Sequence, residues 1–491
     1  MNRTTLTTLL AVTILAGCAA GPDFKRPDAP HADRYTAQPL NLERKNPRTA
    51  SAQQAILGEQ LDQAWWQLFQ SDALNGVVKR ALAQNRSIVA AGYTLAQAQE
   101  LAAAQAGTLY PRVGMTAGVG REKYGAEFLG TSPKPPPFTY FAVGPTISYS
   151  LDYTGGGARS VEQQNALASY QRQQLKAAYL TVTGNAVLES LKIASLRAQI
   201  ATVQTLLDED RENLKLVHEA FDAGSVSRLD IVSADSQLAT DTALVPPLRQ
   251  ELSLAQHALA IVLGQAPAEG TLPEFDLAQL TLPRRLPVSL PSELAHRRPD
   301  ILAAEAELHA ATAAVGVATS NLYPHLDLSA SFSQQSTVIG QLFASGSSAW
   351  SLAGGFVAPV FDGGTLRAKR RAAVDAMQAS AAKYQQTVLT AFGQVADSLQ
   401  ALDHDTEGLD AQTRAQQAAC DNLDLTRKSY REGNIGVLQV LDAERRYQQA
   451  SLAYVRIRAQ RYMDTAQLFL ALGGSGPEVD AHPGQGSRRS D

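Results

Sequence analysis

Cysteine is nearly missing from this chain. Only Cys18 and Cys420 occur in 491 residues, so no disulfide framework holds the fold. Charged residues make up 18% and aromatics 6%, a composition poor in the groups from which soluble enzymes build sites. The net charge is −4 and no basic block or stripe appears, which excludes nucleic acid as a partner. The eight histidines are scattered, and none stands at a metal-ligand spacing from Cys or Glu. No Gly-rich loop followed by Lys is present to cradle a phosphate. These absences leave no catalytic residue, metal site or cofactor site to assign. The chain is expected not to be an enzyme, and any work it takes part in must draw energy from a partner. The mature part also lacks an apolar run of roughly 20 residues, the length of a membrane-spanning helix. If it crosses a membrane, closed strands must do so.

What is present begins with an export signal. Arg3 supplies positive charge, Leu9 to Ala16 an apolar stretch, and Leu15-Ala16-Gly17-Cys18 small residues before a cysteine. Residues 1–17 therefore read as a signal peptide. The ending resembles the bacterial lipoprotein box, which implies that Cys18 is acylated and becomes the first mature residue; a plain cleavage site with a chance cysteine is the alternative. Several acyl chains make a stable anchor. Ala19 and Ala20 follow where the inner-membrane retention signal would have Asp, which favours the outer membrane. Cys420 lies in a helical pattern and reads as a small packed residue.

The chain is written twice. Arg297 to Ser333 lies over Gln84 to Gly120 at a constant offset of 213, with Leu109-Tyr110-Pro111 matched by Leu322-Tyr323-Pro324. Farther on, Gly224 matches Gly433, Leu229 matches Leu438, and Leu263-Gly264 matches Leu472-Gly473, at an offset of 209. A repeat of that length is a whole module, not a solenoid unit. The modules read as 85–264 (a helix, two strands in 111–153, a helix hairpin in 158–263) and 297–473 (a helix, two strands in 324–362, a helix hairpin in 365–472). Around them lie an N-terminal segment 18–84, a Pro-rich linker 265–296 and a Gly, Ser and charge-rich tail 474–491 with the composition of a disordered segment.

In the strand stretches, Val113, Met115, Ala117 and Val119 alternate with Arg112, Gly114, Thr116 and Gly118. The odd-numbered residues from Phe141 to Tyr153 alternate with small and polar ones, and Leu326, Leu328, Ala330 and Phe332 do the same. Trp350 to Asp362 is Gly-rich and less regular. Period-two alternation over about ten residues suits a membrane barrel, apolar outward and polar toward the lumen; four strands of a soluble sandwich are the alternative. The connecting loops, Arg121 to Phe138 and Gln334 to Ala349, become outward tips.

From Ala158 to Phe221 there is no proline, which predicts a helix on the order of 95 Å long. Leu196, Ile200, Val203, Leu207, Asp210, Leu214, Val217 and Phe221 make a four-three seam. Ile231, Ala234, Leu238, Asp241, Val245, Leu248, Leu252, Ala255, Leu259 and Val262 answer it after the turn. Val440, Ala443, Tyr447, Ala450, Tyr454 and Ile457 repeat the idea, with Arg461 and Asp464 in phase. Pro246-Pro247 should interrupt the first return helix, where the second copy has Val455-Arg456. The glycines 155–157 and 363–364 permit a sharp turn from strand to helix, and Trp65-Trp66 reads as an aromatic anchor.

Four strands alone cannot close a barrel, and open edges in lipid leave peptide groups unpaired. Three copies related by cyclic symmetry would supply about twelve strands. The lipobox, the duplicated Tyr-Pro before each strand pair, the Gly-linked hairpins, and Tyr430-Arg431-Glu432-Gly433 with Leu438 to Ala443 resemble the outer membrane factor family. The likeness is to its OprM-like and NodT-like lipoprotein members, with TolC more distant. The resemblance implies a mainly α fold with transmembrane β: a homotrimer whose 12-stranded β-barrel joins a long periplasmic α-helical barrel through an equatorial belt. It implies a passive exit duct of a tripartite efflux system, exporting drugs or other toxic small molecules, with a lipid-anchored place in the outer membrane. It also implies docking to a periplasmic membrane-fusion adaptor and an inner-membrane transporter of the resistance-nodulation-division type. A type I secretion duct and a lipid-anchored coiled-coil tether are the competing readings.

The resemblance assigns a periplasmic gate near the turns at Gly224 and Gly433. Asp442 falls on the family's aspartate ring, where three like charges repel, raise one another's pKa or recruit a cation. Leu438, a turn earlier, adds an apolar ring. Asp230 and Tyr430 match positions that hydrogen-bond across the hairpins in TolC-type members; for Asp230 the alternative is a solvated charge at a helix start. The arginine that bridges protomers in those members is Ile435 here. Tyr110, Pro111, Tyr323 and Pro324 mark where each strand pair begins.

Overall fold

A computed structural model describes residues 20–28, 32–37, 40, 42, 53–124, 136–269 and 272–474. Cys18 and the tail from 475 onward lie outside the described residues, as do residues 125–135 of the loop that follows Glu122. In chain order the main elements are β1 (Gln54–Leu57), α1 (Asp72–Gln84), α2 (Arg86–Gly107), β2 (Arg112–Glu122), β3 (Phe138–Leu151), α3 (Gly156–Asp222), α4 (Arg228–Thr242) and α5 (Val245–Val262). They continue with β4 (Arg285–Val288), α6 (Pro299–Ser320), β5 (His325–Ser336), β6 (Ser348–Val357), α7 (Thr365–Arg431) and α8 (Val437–Ala471). The duplication is visible in lengths: α2 and α6 have 22 residues each, α3 and α7 have 67 each. A 67-residue helix is about 100 Å long. The chain divides into two units, and each long helix contributes to both.

The first unit takes Met1–Pro27, Leu95–Gln171 and Ala303–Tyr384. Its four strands form one antiparallel sheet in the order β2-β3-β5-β6, so β2 and β6 are open edges. The register puts the two alternation phases on separate faces. Val113 pairs with Ile147, Ile147 with Ala330 and Ala330 with Leu352, giving one apolar row across all four strands. Gly114, Thr146, Ser331 and Ser351 make the next row, small and polar. β6 stops at Val357 rather than reaching Asp362, because Pro359 has no N–H to continue the ladder. The strand-to-helix corners are built alike in both copies. The Asp152 carboxylate accepts the N–H groups of Gly157 and Ala158, and that of Asp362 accepts those of Gly364 and Leu366. Each thus satisfies the free donors at the start of a 67-residue helix.

The segment from Ala20 to Pro27 belongs to this unit, and specific contacts explain why. Gly21 crosses Gly316 of α6 so closely that a Cβ on Gly21 would lie 2.5 Å from the Gly316 Cα. Arg159 reaches the Ala20 carbonyl and pairs with Asp23 and Glu162, while Phe24 stacks on His309. Gly316 and His309 correspond to Ala103 and Ala96 in the first copy, so of the two matching helices only α6 offers this seat, with Arg159 of α3 beside it.

The second unit takes Asp28–Thr94, Arg172–Leu302 and Gln385–Asp491. β1 and β4 pair in parallel beside a core of Trp65, Phe69 and Phe469. The buried Arg461 donates to Gln53 Oε1 at 3.0 Å, and Gln53 Nε2 donates to the Pro283 carbonyl at 2.9 Å. Arg298 donates to the Ala471 carbonyl at 2.7 Å. The N-terminal segment is thereby bonded to α8, and the Tyr462 hydroxyl of α8 donates to the Leu280 carbonyl of the linker 265–296 at 2.9 Å. The first return helix breaks after Thr242 and restarts as α5, with its prolines in the first turn, where their missing N–H groups cost nothing. α8 is unbroken, and Arg456 there donates to Gln199 of α3 at 2.9 Å.

Most seam positions are buried, including Leu196, Val203, Leu207, Val217, Ala234, Ala255 and Leu259. Phe221 is a correction: at the end of α3 it stands 40% exposed, past the last turn that α4 can cover. A second correction concerns apolar length. Among the described residues α6 is long and apolar enough to cross a bilayer, and 61% of its apolar window is buried inside the protein. Acidic residues at 305 and 307 split its sequence into shorter apolar runs.

Candidate functional site

Two places in the molecule demand a partner or a solvent other than water: the strand sheet and the hairpin tips. Among the described residues the sheet has no second layer. Val113, Met115, Trp350 and Leu352, all in the apolar phase, are 72%, 74%, 77% and 77% exposed. In a sandwich this face would be the core; in lipid it is the correct outer surface. The opposite face carries Arg112, Thr146, Ser148, Ser329 and Ser331, residues that suit a wet interior. Tyr110 and Tyr323 stand exposed just before β2 and β5, and Pro111 and Pro324 precede the first residue of each strand. The Pro324 carbonyl accepts a hydrogen bond from the Tyr153 hydroxyl, linking the two strand pairs at that end.

At the tips, both helices end in the same way. The Ser225 N–H bonds to the Ala220 carbonyl at 2.9 Å, and the Asn434 N–H bonds to the Ser429 carbonyl at 3.0 Å. This six-residue closure needs a left-handed residue inside it, and Gly224 and Gly433 supply it with φ of 71° and 76°. A Cβ at either glycine would meet nothing within 4 Å, so the requirement is conformational. Val217, Ala234 and Val437 form a small buried core with Leu214, Val226, Ile231, Leu441 and Tyr430 packed on it. Tyr430 is thus a packing residue that joins the two hairpins.

Leu438, the second residue of α8, is 47% exposed, and its repeat partner Leu229, the second of α4, is 69% exposed. Both present an apolar side chain to water at the tip. Asp442 lies one turn beyond Leu438 and is not bare. Arg445 Nη2 donates to Oδ1, and Arg446 Nε lies 2.9 Å from Oδ2. Exposed pairs of this kind contribute at most about 1 kcal/mol each, but they change the local electrostatics: two guanidinium groups surround the one Asp442 carboxylate. The sequence held this signal, since Asp442, Arg445 and Arg446 are spaced i, i+3, i+4 on one helix face.

Asp230 takes a local role. Its carboxylate accepts from the Ser227 hydroxyl at 2.7 Å and from the Ser227 N–H at 2.8 Å, which caps α4 and holds its pKa below the usual carboxylate value. Its hydrogen bonds stay within its own turn and do not cross to the other hairpin. The cross-hairpin polar link instead runs through Glu444 of α8. This buried carboxylate pairs with Arg427 of α7 at 2.9 Å and accepts from Asn213 of α3. Burial raises its pKa, and the Arg427 guanidinium opposes that rise.

Comparison with known proteins agrees with this geometry. The family model described as outer membrane efflux protein matches residues 77–265 and 290–474, one match on each copy of the module. The pyoverdine export outer membrane protein OpmQ of Pseudomonas aeruginosa is 31% identical over 84% of this chain and 87% of its own. The toluene efflux pump outer membrane protein TtgC of Pseudomonas putida is 29% identical over 96% of each. Among solved structures, the outer-membrane channel OprN superposes with a TM-score of 0.84 at 29% identity, covering 93% of this chain and 99% of that one.

Proposed function

The chain belongs to the outer membrane efflux protein family, and from that premise we propose that it is the outer-membrane exit duct of a tripartite efflux pump, assembled as a homotrimer. The observation that carries the proposal is the strand sheet. It has an uncovered apolar face and two open edges, β2 and β6. Lipid rewards the face and forbids the edges. Pairing β6 of one copy with β2 of the next removes every edge when three copies close a ring of about twelve strands. The polar face then lines the pore.

The remaining parts follow from the same reading. The acylated Cys18 anchors the duct to outer-membrane lipid. Leu438, Leu229 and the Asp442–Arg445–Arg446 group form the resting constriction at the Gly224 and Gly433 tips, with Asp230 and Tyr430 holding the turns. A periplasmic membrane-fusion adaptor meets the hairpins, and a resistance-nodulation-division transporter loads the duct. The cargo is small molecules, consistent with the pyoverdine and toluene in the names of OpmQ and TtgC. The duct itself performs no chemistry, and selection belongs to the pump.

Deleting the chain is expected to lower tolerance at least fourfold to some member of a panel of antibiotics, organic solvents and metal salts. Re-expression should restore it. Unchanged tolerance across the whole panel, with the cognate pump expressed, would remove the efflux assignment.

A further inference from the structure

Each hairpin contains one buried contact between two carboxyl groups. In the first, Asp210 of α3 lies within hydrogen-bonding reach of Asp241 of α4; in the second, Asp405 of α7 faces Asp464 of α8 in the same way. All four side chains are buried. The two contacts are wired alike. Gln237 Nε2 donates to Asp241 at 2.6 Å, and Gln460 Nε2 donates to Asp464 at 3.0 and 3.1 Å. The return-helix carboxylate is therefore served by a glutamine one turn earlier. The outbound carboxyl is not: Asp210 Oδ2 and Asp405 Oδ2 are buried and receive no donor. Two carboxyl groups that face one another can hydrogen-bond directly only when one of them holds a proton.

The internal repeat shows that these pairs are not needed to fill the seam. At the offset of 209, Asp210 and Asp241 correspond to Ala419 and Ala450, while Asp405 and Asp464 correspond to Leu196 and Ala255. Where one copy has an acid pair, the other has an apolar pair, and the helices assemble either way. Apolar residues are usually the more stabilising choice in such a place.

We propose that the two acid pairs are proton-held rungs, each locking an outbound helix to its return helix, so that the hairpins loosen when the surrounding medium turns alkaline. Asp210 sits fourteen residues before its turn glycine and Asp241 seventeen after; Asp405 and Asp464 sit twenty-eight before and thirty-one after theirs. The rungs thus stand at two heights, about 21 Å and about 42 Å along the helices from the tip. Losing the shared proton leaves two like charges across a dry seam.

The surroundings reinforce this for the first rung. Glu444 of α8 and Glu209 of α3 add negative charge near Asp210, and both are engaged by Arg427 of α7. At the second rung, Arg461 of α8 stands near Asp405 and opposes its protonation, but burial and Asp464 outweigh it. Burial, followed by the facing carboxyl, pushes Asp210 up to about 7 and Asp405 likewise to about 7. Both values lie above the roughly 4 of an unfolded aspartate. The folded state therefore binds extra protons between about pH 4 and 7. The rungs' contribution to stability is complete below that range and is lost as pH rises through about 7.

The test uses the full-length, detergent-solubilised chain. The wild type is expected to lose several degrees in thermal midpoint between pH 5.5 and 8.5. Amide exchange in α4, corrected for intrinsic base catalysis, should become several-fold faster over the same range. Asp210→Asn with Asp405→Asn supplies a permanent amide donor to each partner and should flatten both dependences. A second variant, Asp210→Ala with Asp241→Ala, copies the apolar pair that the other hairpin already folds with, and should flatten the exchange in α4. A wild type whose α4 exchange does not change with pH, or variants that keep the wild-type slope, would overturn the proposal.

Discussion

Leu352→Arg prevents stable insertion, whereas Ala353→Arg, one residue along the same strand, leaves the protein inserted. This difference is the first large effect expected from the architecture. Leu352 belongs to the apolar row with Val113, Ile147 and Ala330, and Ala353 points to the other face beside Ser329. An arginine on the lipid face of a barrel costs about 2–4 kcal/mol near the bilayer midplane, and a trimer carries three of them. On the lumen side the guanidinium stays in water and costs little. Both residues are exposed in the isolated protomer, so a water-soluble sheet would tolerate the two substitutions equally. The measurement is the amount of each variant recovered as heat-sensitive oligomer in outer-membrane fractions. Leu352→Arg should fall more than tenfold below wild type, and Ala353→Arg should stay within a factor of two. Equal recovery of both would show that Leu352 does not face hydrocarbon.

The second large effect concerns the tip. Asp442→Ala is expected to make the resting duct leak. Each copy brings Arg445 and Arg446 to the single Asp442 carboxylate. Removing it leaves six guanidinium groups in the trimer without their counter-charges. Like charges near one axis repel, so the tips spread, and the apolar contact at Leu438 is lost with them. Single-channel conductance in planar bilayers should rise several-fold, with a shift toward anions. Cells should also become sensitive to antibiotics too large for ordinary porins. Conductance and sensitivity both equal to wild type would exclude this group as the constriction.

Much of this fold was legible because the duplication let each weak signal be read twice. The Tyr-Pro steps, the alternating strands and the glycine turns recur at nearly fixed offsets, and the helix lengths in the structure repeat to the residue. The strand phases were also legible: the apolar residues chosen from period two fall into single rows in the observed register. The extent of β6 was not, because glycines at 354 and 355 blur the period and the stop depends on Pro359. The seat of Ala20 to Pro27 was hidden for a different reason. It rests on Gly316 and His309, where the second copy departs from the first, and on Arg159 of the first copy, far from both in sequence. The acid pairs were in view as seam positions, since Asp210, Asp241 and Asp464 fit the heptad phase. That each faced a second carboxyl required knowing which heights of the two helices meet. At the hairpin tips, sequence reasoning singled out Asp442 and Leu438 but passed over Arg445, Arg446 and Leu229. A spacing of three and four residues, and the repeat itself, already pointed to them.

The requirement beneath all of this is that a four-stranded sheet with an apolar face must recruit sister subunits to exist in a membrane. Native mass spectrometry of the mature chain, released from detergent micelles, tests it most directly. Three copies per particle, with no stable species of fewer strands, is the expected spectrum. A monomer that stays folded and dissolved in water after detergent and acyl chains are removed would contradict it.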